Sequence, residues 1–279
     1  NAPIEASAAL HADKFLGGPM HEIMKGKSAI NPTHPPIELS SKLNPGELAM
    51  HMDLVKIQKG WYLIAVSEPG SYSYEAYLGK QEDHARRANN LIDPMQSMFA
   101  YYRSLAWNIS VCVFDGEGAF AKLSALINSF GARVLPQPKG AGIPIVDSKI
   151  RVLKERIRCI RAGLPFTAGA IFCSFMVSHV VKMTNLAPSR SNVDHMSPYK
   201  FITRGDIVDF KKVFNASFGD YCEVYANDRI QSNSVEKERT ISAIYLDNVD
   251  LNGTKLFLNL TTMKTFRRHH FKVLPMPSG

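Results

Sequence analysis

Two carboxylates and a ladder of cations are the residues of this sequence best placed to do chemistry. A β-branched and aromatic run, Ile109 to Phe114, reads as a buried strand delivering Asp115 at its C-terminal end. Downstream, a helix expected to open at Asp147 carries two stripes that step by four and three. Val146, Ile150, Leu153, Ile157 and Ile160 form a core stripe. Asp147, Arg151, Lys154, Arg158 and Arg161 form a polar one, rotated from the first by roughly 100°. A face that starts with a carboxylate and continues as cations suits a phosphodiester backbone held beside a metal-binding carboxylate. Its bland reading is a solvated basic surface.

The surrounding pattern has to position these groups. Gly116-Glu117-Gly118 makes a turn, Ala119 to Phe130 has helical periodicity, and a short strand follows near Ala132–Leu135. Upstream, Met50, Met52 and Leu54 alternate with His51, Asp53 and Val55, which predicts a half-buried strand with Asp53 on one face. Gly60 to Ser67 and Ser71 to Leu78 read as the next two strands, and their short connections favour an antiparallel meander. Residues 81–107 read as helix with a core stripe of Met95, Met98, Phe99, Tyr102 and Leu105. Thr167–Thr184 is apolar on nearly every side but short for a bilayer, so a core or subunit-contact helix is expected and no membrane span. His179 within it reads as a structural histidine. Residues 188–216 look like a polar linker. Beyond it lie the strand-like runs Asp220–Ala226, Thr240–Leu246, Thr254–Leu260 and Phe271–Leu274, with Asn252-Gly253 as a hairpin signal.

The formal charge of +8 is unevenly placed: residues 1–100 hold nine Lys/Arg against eleven Asp/Glu, leaving 24 against 14 for residues 101–279. That excess favours a polyanionic partner, nucleic acid before an anionic membrane surface. In the tail, Lys264, Arg267, Arg268, His269, His270 and Lys272 have no acid among them. They read equally as a phosphate-contacting strip or as an edge strand protected by charge. The four cysteines are scattered without a C-x-x-C pair, which favours a reducing compartment. No secretory h-region is visible in the first 30 residues.

FDGEGA, followed by a helix and then IVDSKIRVLKERIR, resembles the core of copia-type retroelement integrases. The resemblance continues through Asn185-Leu186-Ala187-Pro188, Met196-Ser197-Pro198-Tyr199, Ser217-Phe218-Gly219-Asp220-Tyr221 and the tail Phe271-Lys272-Val273-Leu274-Pro275-Met276-Pro277. Upstream, His51-Met52-Asp53-Leu54 and Ala65-Val66-Ser67-Glu68-Pro69 fit the first two strands. It covers roughly residues 49–277, with several blocks in order.

The resemblance implies an α/β (α+β) chain: an RNase H-like mixed five-stranded sheet with flanking helices, followed by a small β-barrel-like module. The divisions expected are an extended arm over 1–48, an integrase core over 49–187, a linker over 188–216 and a β-rich module over 217–279. One short helix is expected in the arm, near Ile4–Phe15. In this fold the first and fourth strands are neighbours, which would bring Asp53 beside Asp115. Carried over residue by residue, Asp53, Asp115 and Asp147 become the catalytic carboxylates and the ligands of Mg²⁺ or Mn²⁺. The third is normally Glu, and the 32 positions from Asp115 to Asp147 are tighter than in retroviral relatives. As an alternative, Asp147 is simply a first-turn acid favoured by the helix dipole. Glu117 and Glu155 are possible substitutes. A zinc module normally precedes such a core; His11, His21 and His34 are present here, but no cysteine precedes Cys112, so zinc is not supported.

Two functions follow as expectations. In one, the chain is a retrotransposon integrase performing Mg-dependent DNA cleavage and strand transfer, acting in the nucleus. In the other it is a domesticated, inactive integrase fold, a structural or RNA/DNA-binding subunit of an assembly such as a ribonucleoprotein. That would place it in a reducing intracellular compartment, organelles included. Nucleic acid would contact Arg151, Lys154, Arg158, Arg161, Arg267, Arg268 and Lys272, and protein partners or a homo-oligomer are expected in either case.

Overall fold

A computed structural model describes residues 43–80, 89–115, 120, 122–137, 143–190, 192–205, 208–226 and 239–277. Residues 1–42 of the expected arm with its helix, the Gly116–Gly118 turn and the side chain of Asp115 lie outside the described residues, and the last two residues of that arm, Glu47 and Leu48, belong to the first strand. The rest falls into two compact units, one within 23–158 and 180–206, the other within 159–179 and 207–279.

The first unit is built on a mixed sheet. Strands β1 (Glu47–Ile57), β2 (Gly60–Glu68) and β3 (Ser73–Gly79) form the antiparallel meander, and helix α1 (Ile92–Ser104) leads to β4 (Asn108–Asp115). Helix α2 (Ser124–Ser129) then crosses to β5 (Arg133–Gln137). The strand order is β3-β2-β1-β4-β5, with β1–β4 and β4–β5 parallel. This is the five-stranded mixed sheet with flanking helices that an RNase H-like core requires, and the first and fourth strands are indeed neighbours.

Strand alternation sorts β1 onto two faces. Leu48, Met50, Met52 and Leu54 join a core completed by Met95, Met98, Phe99 and Tyr102 of α1 and by Phe120 and Ile127. The opposite face carries Ala49, His51, Asp53 and Val55. Its neighbours Ile64, Val66, Val111 and Val113 are buried as well. Two long helices, α3 (Pro144–Gly163) and α4 (Ala170–Leu186), follow β5 in the chain. Leu153 of α3 and Val180 and Val181 of α4 line a crevice against Ile64 on this second face.

Helix α3 opens at Pro144, three residues before the expected start. Proline suits the first helical position, since its missing N–H would have no intrahelical partner there. The core stripe of α3 is buried at Val146, Ile150, Leu153 and Ile157, and half-buried at Ile160.

The stretch expected as a polar linker is folded. It holds a 3-10 turn (Val193–His195), α5 (Pro198–Thr203) and α6 (Phe210–Val213). In the first unit, Trp107 donates its indole N–H to the Ile202 carbonyl at 2.7 Å and stacks on Phe201. Ile202 is fully buried, so the tie is a packed strap.

The second unit carries an antiparallel sheet of β6 (Tyr221–Tyr225), β7 (Thr240–Asn248), β8 (Lys255–Asn259), β9 (Thr265–Arg268) and β10 (Phe271–Leu274), in the order β10-β6-β7-β8-β9. The Phe257 and Phe271 rings are 5.2 Å apart although two strands lie between theirs. A flat sheet would separate them by about 14 Å, so the sheet is strongly curled. Asn252-Gly253 sits in the β7–β8 hairpin as expected, with Gly253 at φ +106°. Residues 159–179 pack here: a Cβ on Gly219 would come within 2.1 Å of Leu164, and His179 contacts Asp247 at 3.2 Å.

Candidate functional site

The parallel register of β1 and β4 pairs Met52 with Phe114. Asp53 and Asp115 are the next residues of these neighbouring strands, so they stand side by side at the C-terminal end of the parallel pair. Asp53 is half-buried, lies opposite Ile64 of β2, and accepts the Leu54 N–H at 2.7 Å. Asp115 is also paired, opposite Gln137 of β5. Its backbone is thus held between two strands at one level of the sheet.

Asp147 sits in the first turn of α3 and is exposed. Its Oδ2 accepts the backbone N–H of Ile143 at 2.8 Å, closing the end of its own helix. A carboxylate at that end is stabilised by the helix dipole and by satisfying an orphan donor. The other oxygen, Oδ1, is not used in that contact.

The donor chemistry of Asp53 and Asp115 fits one hard divalent cation, which takes carboxylate oxygens. Among the described residues, no three His, Cys, Asp or Glu side chains come together as a metal cluster.

The cations of α3 stand where the helical period puts them. Arg151, Arg158 and Arg161 are exposed and Lys154 is half-exposed, on the flank that begins at Asp147. Glu155, named as a substitute ligand, is half-buried further along the helix. The tail residues divide. Arg267 and Lys272 are exposed, whereas Arg268 donates to the Ala226 carbonyl at 3.0 Å and to the Arg267 carbonyl at 2.9 Å. Its guanidinium therefore helps hold the curled sheet. Strands β9 and β10 are the two edges of that sheet, where charge discourages edge-to-edge pairing.

Two residues near Asp53 were not among the expected site residues. His51 shares its face, is 2 % exposed, and binds Glu68 through Nε2 at 2.7 Å, while its Nδ1 is buried with no partner among the described residues. Lys149 lines the crevice with Ile64, the cross-strand neighbour of Asp53, and burial pushes its ammonium below the usual lysine range. A signal for Lys149 was present: it lies three residues after Val146 and four before Leu153, on the flank of the core stripe.

No family model matches the sequence, and none of the curated proteins does. Among solved structures, the chain is similar to the catalytic core domain of BIV integrase, at 14 % identity and a TM-score of 0.40, over 56 % of this chain and 93 % of that one. The fold is read from strand order and direction.

Proposed function

We propose that this chain is an integrase-like nucleic-acid-binding protein whose ancestral activity is metal-dependent DNA cleavage and strand transfer, of copia-type retroelement origin. The observation that carries the reading is the register that sets Asp53 beside Asp115 where the parallel strands β1 and β4 end. In this reading Asp147 supplies a third carboxylate through Oδ1, and Mg²⁺ or Mn²⁺ is the cofactor. The metal, when bound, would activate a water or a DNA 3′-hydroxyl and stabilise the leaving oxygen. The chain's own contribution is to hold the carboxylates and to offer Arg151, Lys154 and Arg158 to the phosphodiester backbone. Arg161, Arg267 and Lys272 are further cations this reading assigns to nucleic acid, and a homo-oligomer working on nuclear DNA follows from the same reading.

One observation favours a second function. Asp147 spends one oxygen on the Ile143 N–H, as a first-turn acid without a metal would. In that case the fold is domesticated and serves as an RNA- or DNA-binding subunit of a larger assembly.

The deciding experiment is a strand-transfer assay with purified protein, an oligonucleotide duplex and Mg²⁺ or Mn²⁺. Joining that disappears in Asp115→Asn supports the enzyme. Binding without joining in either metal supports the domesticated subunit.

A further inference from the structure

The outer face of the second sheet is a three-by-three grid. Side chains alternate across a strand, so Tyr221, Glu223 and Tyr225 of β6 point away from the core formed by Cys222 and Val224. The register sets Glu223 between Lys272 of β10 and Ser242 of β7. Tyr225 pairs with Thr240 on one side and bonds the His270 carbonyl on the other. At the far end of the grid Ile244 is buried, but Tyr225 is 47 % exposed, with Lys272 and His270 exposed as well. One end of this face is therefore closed and the other open to solvent.

Glu223 is unusually well fixed for a surface acid. Tyr221 Oη donates to its Oε1 at 2.6 Å and Ser242 Oγ donates to the same oxygen at 2.7 Å. These hydroxyls, Tyr221 first and then Thr240 and Ser242, hold the carboxyl below its ordinary range. Two donors on one oxygen saturate it and fix the carboxylate plane. Thr240 is a third hydroxyl donor to this carboxylate, and at least one acceptor position remains, on Oε2.

We infer that this face is a second nucleic-acid contact, one that takes single-stranded nucleic acid and prefers a base carrying an exocyclic amino group at Glu223. The inference rests on the nucleic-acid-binding reading above and extends it to a surface apart from α3. The exposed Tyr225 ring offers a stacking platform, and every base has a π-face to lay on it. Lys272, directly across from Glu223, offers a cation to the phosphates. A preoriented carboxylate oxygen accepts from cytosine N4, whereas thymine presents its O4 acceptor at that position and is repelled. The bases of a single strand expose these edges, which a duplex keeps paired. The uneven charge, 24 Lys/Arg against 14 Asp/Glu over residues 101–279, favours a polyanion here over an acidic or neutral protein partner.

The test uses the full chain and fluorescence anisotropy with labelled oligo(dC) and oligo(dT) of about 12 nucleotides, within the span one small β-fold covers. Oligo(dC) is expected to bind about tenfold more tightly than oligo(dT). Glu223→Gln, isosteric and on the surface, should cut that ratio to about twofold or less. Tyr225→Ala should weaken both by about tenfold, because the ring itself is the platform. Equal binding of the two oligonucleotides, or a preference that survives Glu223→Gln, overturns the inference. So does capture of an arginine-rich peptide with no oligonucleotide bound, which would make Glu223 a protein contact. Duplex binding that falls in Arg151→Ala while Tyr225→Ala leaves single strands untouched defeats this inference alone. No binding of duplex or single strand defeats the reading beneath it too.

Discussion

Asp147 turns its carboxylate back onto the backbone N–H of Ile143, 2.8 Å away, and so fastens the first turn of the basic helix α3. The same side chain is the third carboxylate of the proposed site, and the two roles separate by substitution. Asp147→Asn keeps an oxygen for the Ile143 N–H, so its cost in urea unfolding should stay below about 0.5 kcal/mol. Asp147→Ala loses that bond and should cost about 1 kcal/mol. If the carboxylate also serves a metal, metal-dependent joining falls at least about tenfold in both variants. Unchanged joining in Asp147→Asn would limit the residue to the helix end.

Arg151 and Lys154 of α3 should give duplex binding a steep salt dependence. Arg151→Ala and Lys154→Ala are each expected to weaken binding across sequences and to lower the slope of log K against log salt by about 1. Titrations at several ionic strengths read this directly. A slope unaltered by either change would move the binding surface off this helix.

Lys255 is fully buried in the second unit, with Nζ donating to the carbonyls of Lys212 at 2.7 Å and Val213 at 2.9 Å and to Asn248 Oδ1. These three acceptors take all three ammonium hydrogens, and two of them are the carbonyls at the end of α6. Lys255→Met should therefore cost about 2–3 kcal/mol by leaving the carbonyls unsatisfied. Burial also pushes the ammonium down from 10.5 to about 8. Between these values the unfolded chain holds the proton that the folded chain has released, so stability should rise with pH across that window. Thermal unfolding between pH 7.5 and 10.5 should show that rise in the wild type and its loss in Lys255→Met.

Asn185 ties α4 to the edge strand β3. Its Oδ1 accepts the Ser73 N–H at 2.8 Å and its Nδ2 donates to the Ser73 carbonyl at 2.8 Å, with Asn185 only 4 % exposed. Asn185→Ala should cost about 2–3 kcal/mol, since both backbone groups of Ser73 lose their side-chain partner in a buried setting. Denaturant midpoints measure it. Asn185→Asp keeps the acceptor but sets an oxygen against the Ser73 carbonyl, so it should rescue less than half of the loss.

Much of the core was readable from short-range pattern. Alternation at Met50, Met52 and Leu54 located β1, and the run Ile109 to Phe114 located β4 to within a residue. The helical step placed both faces of α3. What pattern could not supply was pairing: nothing in the spacing of Asp53 and Asp115 states that their strands are neighbours, and that expectation came from family resemblance. Composition misled at residues 188–216, where a polar sequence hides the buried Ile202 and Val213. Strand β9 was legible only as the charged-edge alternative for the tail, because Thr265 to Arg268 alternates Phe266 and Arg268 inward and an arginine does not read as a core residue. Its guanidinium lies over Phe266, 5.9 Å from the ring centre. The His51–Glu68 contact was equally invisible, since it joins the first strand to the end of the second.

The chain has two tryptophans, Trp61 half-buried and Trp107 buried. Trp107 is 8 % exposed, bonded to the Ile202 carbonyl and covered by the Arg204 guanidinium 4.8 Å from its ring. Its fluorescence is thus an internal optical gauge of whether residues 198–204 are seated. With Trp61 replaced by Phe, the remaining emission comes from Trp107, and a red shift on denaturant that precedes loss of the far-ultraviolet strand signal would time the release of that segment ahead of the sheet.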